Sequence, residues 1–182
     1  VPLFNGQNLD GWIQKNGWAT YRIVGDTIEG TTSNHSPNSF LCTTTDYGDF
    51  EFAVEVKCDP RLNSGIQIRS RSLPEYDSGR VHGPQVEIAP GVAGYIYGEA
   101  TGRNWLSPSQ PVHSHFKPED WNQYVIRAQG KRLQTWINGQ LIEDITDPLS
   151  PEYGFIGLQV HGIAADQGPF QVQWRNIKLR KL

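Results

Sequence analysis

With 182 residues, 19% of them charged and a formal net charge of −3, the chain is sized for one domain with a substantial buried core, residues 1–182. The charge is too small to point to nucleic acid or an anionic membrane as a partner, and no apolar run approaches the length that spans a bilayer. Cys42 and Cys58 match no zinc-binding spacing; they permit one disulfide or two reduced core thiols.

Residues 3–12 supply an apolar anchor, in which Phe4, Leu9 and Trp12 pin the N-terminus to the core, with turn signals at Asn5-Gly6 and Asp10-Gly11. Tyr21 to Val24 and Thr27 to Gly30 flank Gly25-Asp26 and read as a hairpin. Residues 31–39 are polar and turn-rich, and Phe40 to Thr43 is a short strand. The clearest strand runs from Asp49 to Cys58, where Phe50, Phe52, Val54 and Val56 alternate with Glu51, Ala53, Glu55 and Lys57. After the Asp59-Pro60 break, the turn at Asn63-Ser64-Gly65 opens a strand to Ser70 that buries Ile66 and Ile68 and turns Gln67 and Arg69 outward. Residues 72–82 show no period.

The stretch from Gly83 to Glu99 organises the rest. Gln85-Val86-Glu87-Ile88 buries Val86 and Ile88 and presents Gln85 and Glu87; Pro90-Gly91 breaks the strand, and Tyr95-Ile96-Tyr97 forms the next. Residues 100–117 hold Trp105, His113 and His115 and are long for a structureless connection, which marks a functional rim. Trp121 to Ala128 and Leu133 to Ile137 form a hairpin, and Asn138-Gly139 turns the chain into Gln140 to Ile142. Gly154 to Gly162 buries Ile156, Leu158 and Val160 and leaves Gln159 and His161 on the polar side, and Gln171 to Leu179 closes the chain. About a dozen short strands and no amphipathic helix predict an all-β antiparallel sandwich.

Outward on these strands stand Glu55, Lys57, Gln67, Arg69, Gln85, Glu87, Tyr97, Gln159 and His161. Two carboxylates, an arginine and a histidine with amides between them suit a polyhydroxylated ligand, and six tryptophans and seven tyrosines offer flat ring faces to a sugar. The same alternation also describes solvated faces bearing weak surface ion pairs, because period 2 gives facing and not neighbourhood. Trp105 is either a stacking platform or a loop plug, and the His113-x-His115 pair lacks a nearby carboxylate to complete a metal set. No glycine-rich phosphate loop, GxSxG elbow or HExxH occurs, so a serine nucleophile has no support.

The ordered series LFNGQNLDGW, DTIEG, DFEFAVEVK, NSGIQIRS, GPQVEI, GYIYGEATG, WNQYVI, WINGQ, GFIGLQVH and WRNIKL, from Leu3 to Leu182 without a large gap, resembles the 3-keto-disaccharide hydrolase domain family. Each motif alone is short; their order is specific. The resemblance implies a concanavalin A/laminarinase-like jelly roll and cleavage of glycosides already oxidised to a ketone at carbon 3. It also implies export to the periplasm or medium by polysaccharide-degrading bacteria, with no signal peptide in the sequence itself. The family's commoner central pattern is Glu-x-Gln, whereas Gln85-Val86-Glu87 exchanges the two. The carboxylate moves about 6–7 Å along the same face, and the catalytic role is assigned to Glu87.

A ketone at carbon 3 acidifies the hydrogen on carbon 2; its loss gives an enolate that expels the substituent on carbon 1, and water can add to the product. This route needs a base, a stabiliser for the enolate oxygen and a proton donor for the leaving group. Facing assigns Glu87 as base, Arg69 as stabiliser and His161 as donor. Glu55, Gln67, Gln85, Tyr97, Trp105 and Gln159 then hold the oligosaccharide or 3-keto-glycoside. A divalent metal ion held by Glu55, Glu87 and His161 is the alternative electrophile. The chain is expected to act as a monomer. Two other readings stand beside this one: a conventional glycosidase using Glu55 and Glu87, and a non-catalytic carbohydrate-binding module, because one sandwich carries many functions.

Overall fold

From Phe50 to Cys58 every second residue is buried, Phe50, Phe52, Val54 and Val56 among them, while Lys57 is exposed. Burying each such side chain is worth about 1.5–3 kcal/mol, which settles which way the strand faces, and the same rule orients its neighbours. A computed structural model describes residues 1–182. Its strands are β1 (Trp12–Lys15), β2 (Thr20–Val24), β3 (Thr27–Thr31), β4 (Ser39–Thr43), β5 (Phe50–Cys58), β6 (Ser64–Ser70) and β7 (Gly83–Ile88). They continue with β8 (Ile96–Glu99), β9 (Asn104–Trp105), β10 (Asn122–Gln129), β11 (Arg132–Ile137), β12 (Gln140–Thr146), β13 (Phe155–Val160) and β14 (Gln171–Lys181).

Two seven-stranded antiparallel sheets result, a front sheet ordered β1-β4-β13-β6-β7-β8-β9 and a back sheet ordered β12-β11-β10-β5-β14-β3-β2. The architecture is an all-β jelly-roll sandwich. No helix is long and apolar enough to cross a membrane. The inner faces meet in a core of 31 buried residues, with Ile66, Ile68, Val86 and Ile156 from the front and Phe52, Val54, Tyr124 and Trp174 from the back. Two strands escape the periodicity: β1, a short edge strand with Ile13 exposed, and the two-residue β9 inside the rim. Cys42 on β4 and Cys58 on β5 are separate buried thiols, not a disulfide.

The front sheet's outer face is roofed. A second apolar cluster of Phe40, Cys42, Val81 and Phe155 packs there, and Val81 arrives from the aperiodic segment 71–82. Arg71 and His82 exchange backbone hydrogen bonds of 3.0 and 2.9 Å at the base of that segment. Asn16 holds its tip, donating to the Gly79 carbonyl at 3.1 Å and accepting from the Val81 amide at 2.8 Å. Tyr76 stacks on His82 at 3.8 Å between ring centroids and donates its hydroxyl to the Ala100 carbonyl at 2.6 Å.

The strand β6 breaks strict alternation, and this relocates Arg69. Against β13, Ser70 pairs with Phe155 and Gln67 with Gly157, so three steps of β6 oppose two of β13. The extra residue is absorbed by a bulge in which Arg69 has φ +43°. Gly154 permits the close approach, since a Cβ there would collide with the Arg69 backbone. The fully buried Arg69 guanidinium donates to the carbonyls of Gly48 (2.8 Å) and Gly130 (2.6 Å) and to Asp49 Oδ1 (2.8 Å). It ties the front sheet to the β10–β11 turn of the back sheet and does not stand on the polar face where alternation put it.

Candidate functional site

Strand register sets the front sheet's outward residues in rows. One runs Cys42, Gly157, Gln67, Gln85, Tyr97, Trp105 across β4, β13, β6, β7, β8 and β9. The next holds Phe40 opposite Gln159 and Gly65 opposite Glu87, with Gln159 one step beyond the Leu158–Ile66 pair and therefore beside Gly65. A Cβ on Gly65 would lie 2.6 Å from Gln85 Cδ, so the glycine lets that side chain lie down on the sheet. Gln67, Gln85 and Gln159 are at most 2% exposed. Gln67 Oε1, Gln85 Nε2 and both amide atoms of Gln159 have no hydrogen-bond partner in the protein. A buried amide left unpaired costs about 1–3 kcal/mol, and of the three glutamines only Gln85 borders the pocket above them.

Over the rows lies a pocket of about 350 Å³, lined by Asn38, Asn63, Arg80, Gln85, Glu87, Tyr97, Glu99, Trp105 and His161. Among the residues predicted from sequence, Gln85, Glu87, Tyr97, Trp105 and His161 therefore meet in one place. Gln67 and Gln159 lie in the layer behind it and do not line it. Arg69 is absent for the reason given above. Glu55 is on β5 in the back sheet, where it accepts from Arg175 Nε and, at 3.0 Å, from Asn176 Nδ2, and Arg175 stacks over Trp121. Its alternation is as regular as that of Glu87, but it faces the other side of the molecule. The expected Glu55–Glu87–His161 metal set does not form, nor does a Glu55–Glu87 acid pair, and no other group of three His, Cys, Asp or Glu side chains is placed to hold an ion. His113 stacks on His115 at 5.4 Å, with its Nε2 2.8 Å from the Ala93 carbonyl.

Burial pushes the Glu87 carboxyl up to about 8, the negative charge of Glu99 pushes it the same way, and the Asn63 side chain opposes both. His161 Nδ1 is 2.6 Å from the Gly162 carbonyl. A carbonyl can only accept, so Nδ1 carries a proton and Nε2 is the ring nitrogen turned to the pocket's chemistry. Asn38 links the ends of the site, its Oδ1 accepting from the Gly162 amide at 2.9 Å and its Nδ2 donating to Glu99 at 3.5 Å. Arg80 is the only cation lining the pocket and stands 4.0 Å from Glu99. Trp105 packs edge-on against Tyr97 at 5.4 Å and is 37% exposed.

Four of these lining residues are additions to the predicted set. Glu99 is two residues beyond Tyr97 on the same strand face, so alternation carried its signal. Asn63, read as a turn residue, opens the β6 face that continues through Gly65 and Gln67. Asn38 and Arg80 come from segments without a period, and no pattern in the sequence points to them.

Among solved structures, a candidate glycosyl hydrolase from Parabacteroides distasonis ATCC 8503 superposes with a TM-score of 0.71 at 18% identity, covering 99% of this chain and 92% of its own. The carbohydrate-binding module CBM66 from Bacillus subtilis gives 0.67 at 17% identity over 94% and 96% of the two chains. A Bacillus subtilis protein of unknown function with a galectin-like fold gives 0.72 at 11% identity over 99% and 93%. At such identities the likeness is one of fold, a sandwich found in carbohydrate-related proteins. No curated protein matches the sequence. Residues 1–180 match the model of the 3-keto-alpha-glucoside-1,2-lyase-like domain, and the chain belongs to that family. Membership of this family supports a carbohydrate-related function.

Proposed function

We propose that the protein cleaves 3-keto-glycosides by taking the proton from carbon 2 and expelling the substituent on carbon 1, with hydration of the product as a following step. The observation that carries this reading is the meeting, in one small pocket, of the buried Glu87 carboxyl and a histidine whose Nδ1 is held by a backbone carbonyl, which leaves Nε2 for the substrate. His161 Nε2 accepts the carbon 2 proton; the C–H electron pair becomes the C2=C3 bond and the ketone oxygen takes the negative charge. Glu87 donates to that oxygen, since burial and the neighbouring Glu99 charge raise its carboxyl to about 8 and favour the protonated form near neutral pH. A neutral carboxylic acid in an apolar site is a known device for holding an enolate oxygen. The enolate pair then restores the ketone and forms C1=C2, the C1–O bond breaks with its electrons on oxygen, and the proton held by His161 passes to that oxygen.

This redistributes the roles that facing alone suggested: His161 becomes the base and keeps the donation to the leaving oxygen, and Glu87 takes the stabilising role expected of Arg69. Arg80 replaces Arg69 as the pocket's cation. Gln85 and Tyr97 hold ring hydroxyls, and Trp105 offers a stacking face. The exposed face of Trp105 also favours a second reading, a binding module without turnover. Incubation with 3-keto-glucosides and their unoxidised parents, with and without chelator, separates the two. Release of an unsaturated or hydrated keto-sugar from the oxidised substrates alone supports the proposal; binding of the unoxidised sugars with no product supports the module.

A further inference from the structure

We propose that Asn38 is a positioning residue for the base: it holds the Gly162 peptide in the orientation that keeps a proton on His161 Nδ1 and leaves Nε2 for the substrate. This rests on the reaction proposed above, in which His161 is the base. His161 lies one residue beyond the last register pair of β13, Val160 with Ser39, so the sheet ladder does not extend to it. What orients its ring is the Gly162 carbonyl, 2.6 Å from Nδ1. In a neutral imidazole the partner of one nitrogen decides which of the two carries the hydrogen. The direction of that carbonyl therefore decides which nitrogen meets carbon 2 with a lone pair.

Past the end of β13, residues 36–38 take over from the sheet. The Gly162 amide donates to Asn38 Oδ1 at 2.9 Å, and Asn38 Nδ2 donates to Glu99 Oε1 at 3.5 Å. A backbone N–H can only donate, so the Asn38 amide has one orientation, oxygen to Gly162 and nitrogen to Glu99. The approach is close: a Cβ on Gly162 would lie 2.7 Å from the Ser36 carbonyl oxygen, which leaves room for glycine alone. One residue further on, Ile163 pairs with Asn34. His161 and Gly162 are thereby held between two pairings with the same stretch of chain.

That stretch is itself anchored. Ser36 is buried, and its hydroxyl accepts from the Trp18 amide at 2.8 Å and donates to the Pro37 carbonyl at 2.8 Å. Ser39 is buried as well and accepts from the Ala19 amide at 3.0 Å. Asn38 thus reaches Gly162 from between two fixed residues. Without its oxygen the Gly162 peptide can rotate and its carbonyl can leave Nδ1. The ring is then free to carry its hydrogen on Nε2, where it cannot accept the carbon 2 proton.

The tautomer is read directly by nitrogen NMR of the imidazole, at a pH where the ring is neutral and without substrate. The wild type should show the Nδ1–H form of His161. Asn38→Ala should shift it toward Nε2–H, with the signals of His113 and His115 unmoved. Asn38→Asp keeps an acceptor for the Gly162 amide and should keep the wild-type tautomer. On a 3-keto-glucoside, Asn38→Ala should lower kcat by about tenfold or more, as for a misplaced catalytic group, with KM within about threefold, and Asn38→Asp should recover part of the loss. Gly162→Ala presses on the same peptide from the Ser36 side and should shift the tautomer alike, which keeps a test in hand if Asn38→Ala does not fold. An unchanged His161 tautomer in the folded variant, or a loss confined to KM, would overturn the assignment. If the wild type turns over no ketone, the reaction proposed above falls, and the spectra still decide whether Asn38 sets the ring.

Discussion

The outer faces of the two sheets carry the same alternation and meet opposite fates. On the back sheet Glu55 pairs with Arg175, Glu51 with Arg180 at 3.2 Å and Arg132 with Asp144 at 2.6 Å, all partly or largely open to solvent. On the front sheet Gln67, Gln85, Gln159 and Glu87 are buried, and the three glutamines keep amide atoms without partners. The strands do not differ in kind; their cover does. Segment 71–82, clamped by Asn16 and by the Tyr76–His82 stack, packs on the front sheet's outer face through Val81, whereas the buried carboxylate of the back sheet's outer face, Glu29, is satisfied by Arg22, Gln171 and Gln173. Roofing raises the energy of an unpaired polar group and shifts a carboxyl's protonation, whereas an open face leaves both to water.

Substitutions sharpen this contrast. The largest effect is expected at His161: His161→Ala should lower kcat on a 3-keto-glucoside by about 10³-fold, within the range for loss of a general base, with the fold retained by circular dichroism. Next comes Glu87. Loss of an oxyanion donor in Glu87→Ala should lower kcat by about 10²-fold, while Glu87→Gln keeps an N–H donor and should lose only about tenfold; similar losses for the two would break the donor assignment. Arg69 should answer in stability and not in chemistry. Arg69→Met strands the carbonyls of Gly48 and Gly130 and the Asp49 carboxylate, and chemical denaturation should show a loss on the order of 3 kcal/mol, with turnover per folded molecule unchanged at low temperature. The smallest effect is expected at Glu55: Glu55→Gln should cost under about 1 kcal/mol, as for a surface ion pair, and leave the rate unaltered.

The sandwich was legible because burial of alternate residues is a local signal: Phe50 to Val56 and Val86 with Ile88 declare their faces in the sequence. The centre of the pocket was legible for the same reason, since Gln85, Glu87, Tyr97 and His161 all sit at outward positions. Glu55 carried an equal signal and went elsewhere, because period 2 does not say which sheet a strand joins. Arg69 was lost to a one-residue bulge, which reverses facing beyond it and is set by the close approach of Gly154. Arg80 and Asn38 reach the site through aperiodic chain, positioned by side-chain clamps such as Asn16 to Gly79 that only the folded molecule reveals.

The most direct test is the pH dependence of kcat/KM on a 3-keto-glucoside, measured from pH 6 to 10 in the wild type and in Glu87→Gln. Burial raises the Glu87 carboxyl to about 8, so the protonated donor is lost above that pH. The wild type should then decline by about tenfold per unit beyond pH 8, and the variant should lack this limb. A wild-type rate that climbs through pH 8 as Glu87 ionises would make the carboxylate the base and contradict the assignment.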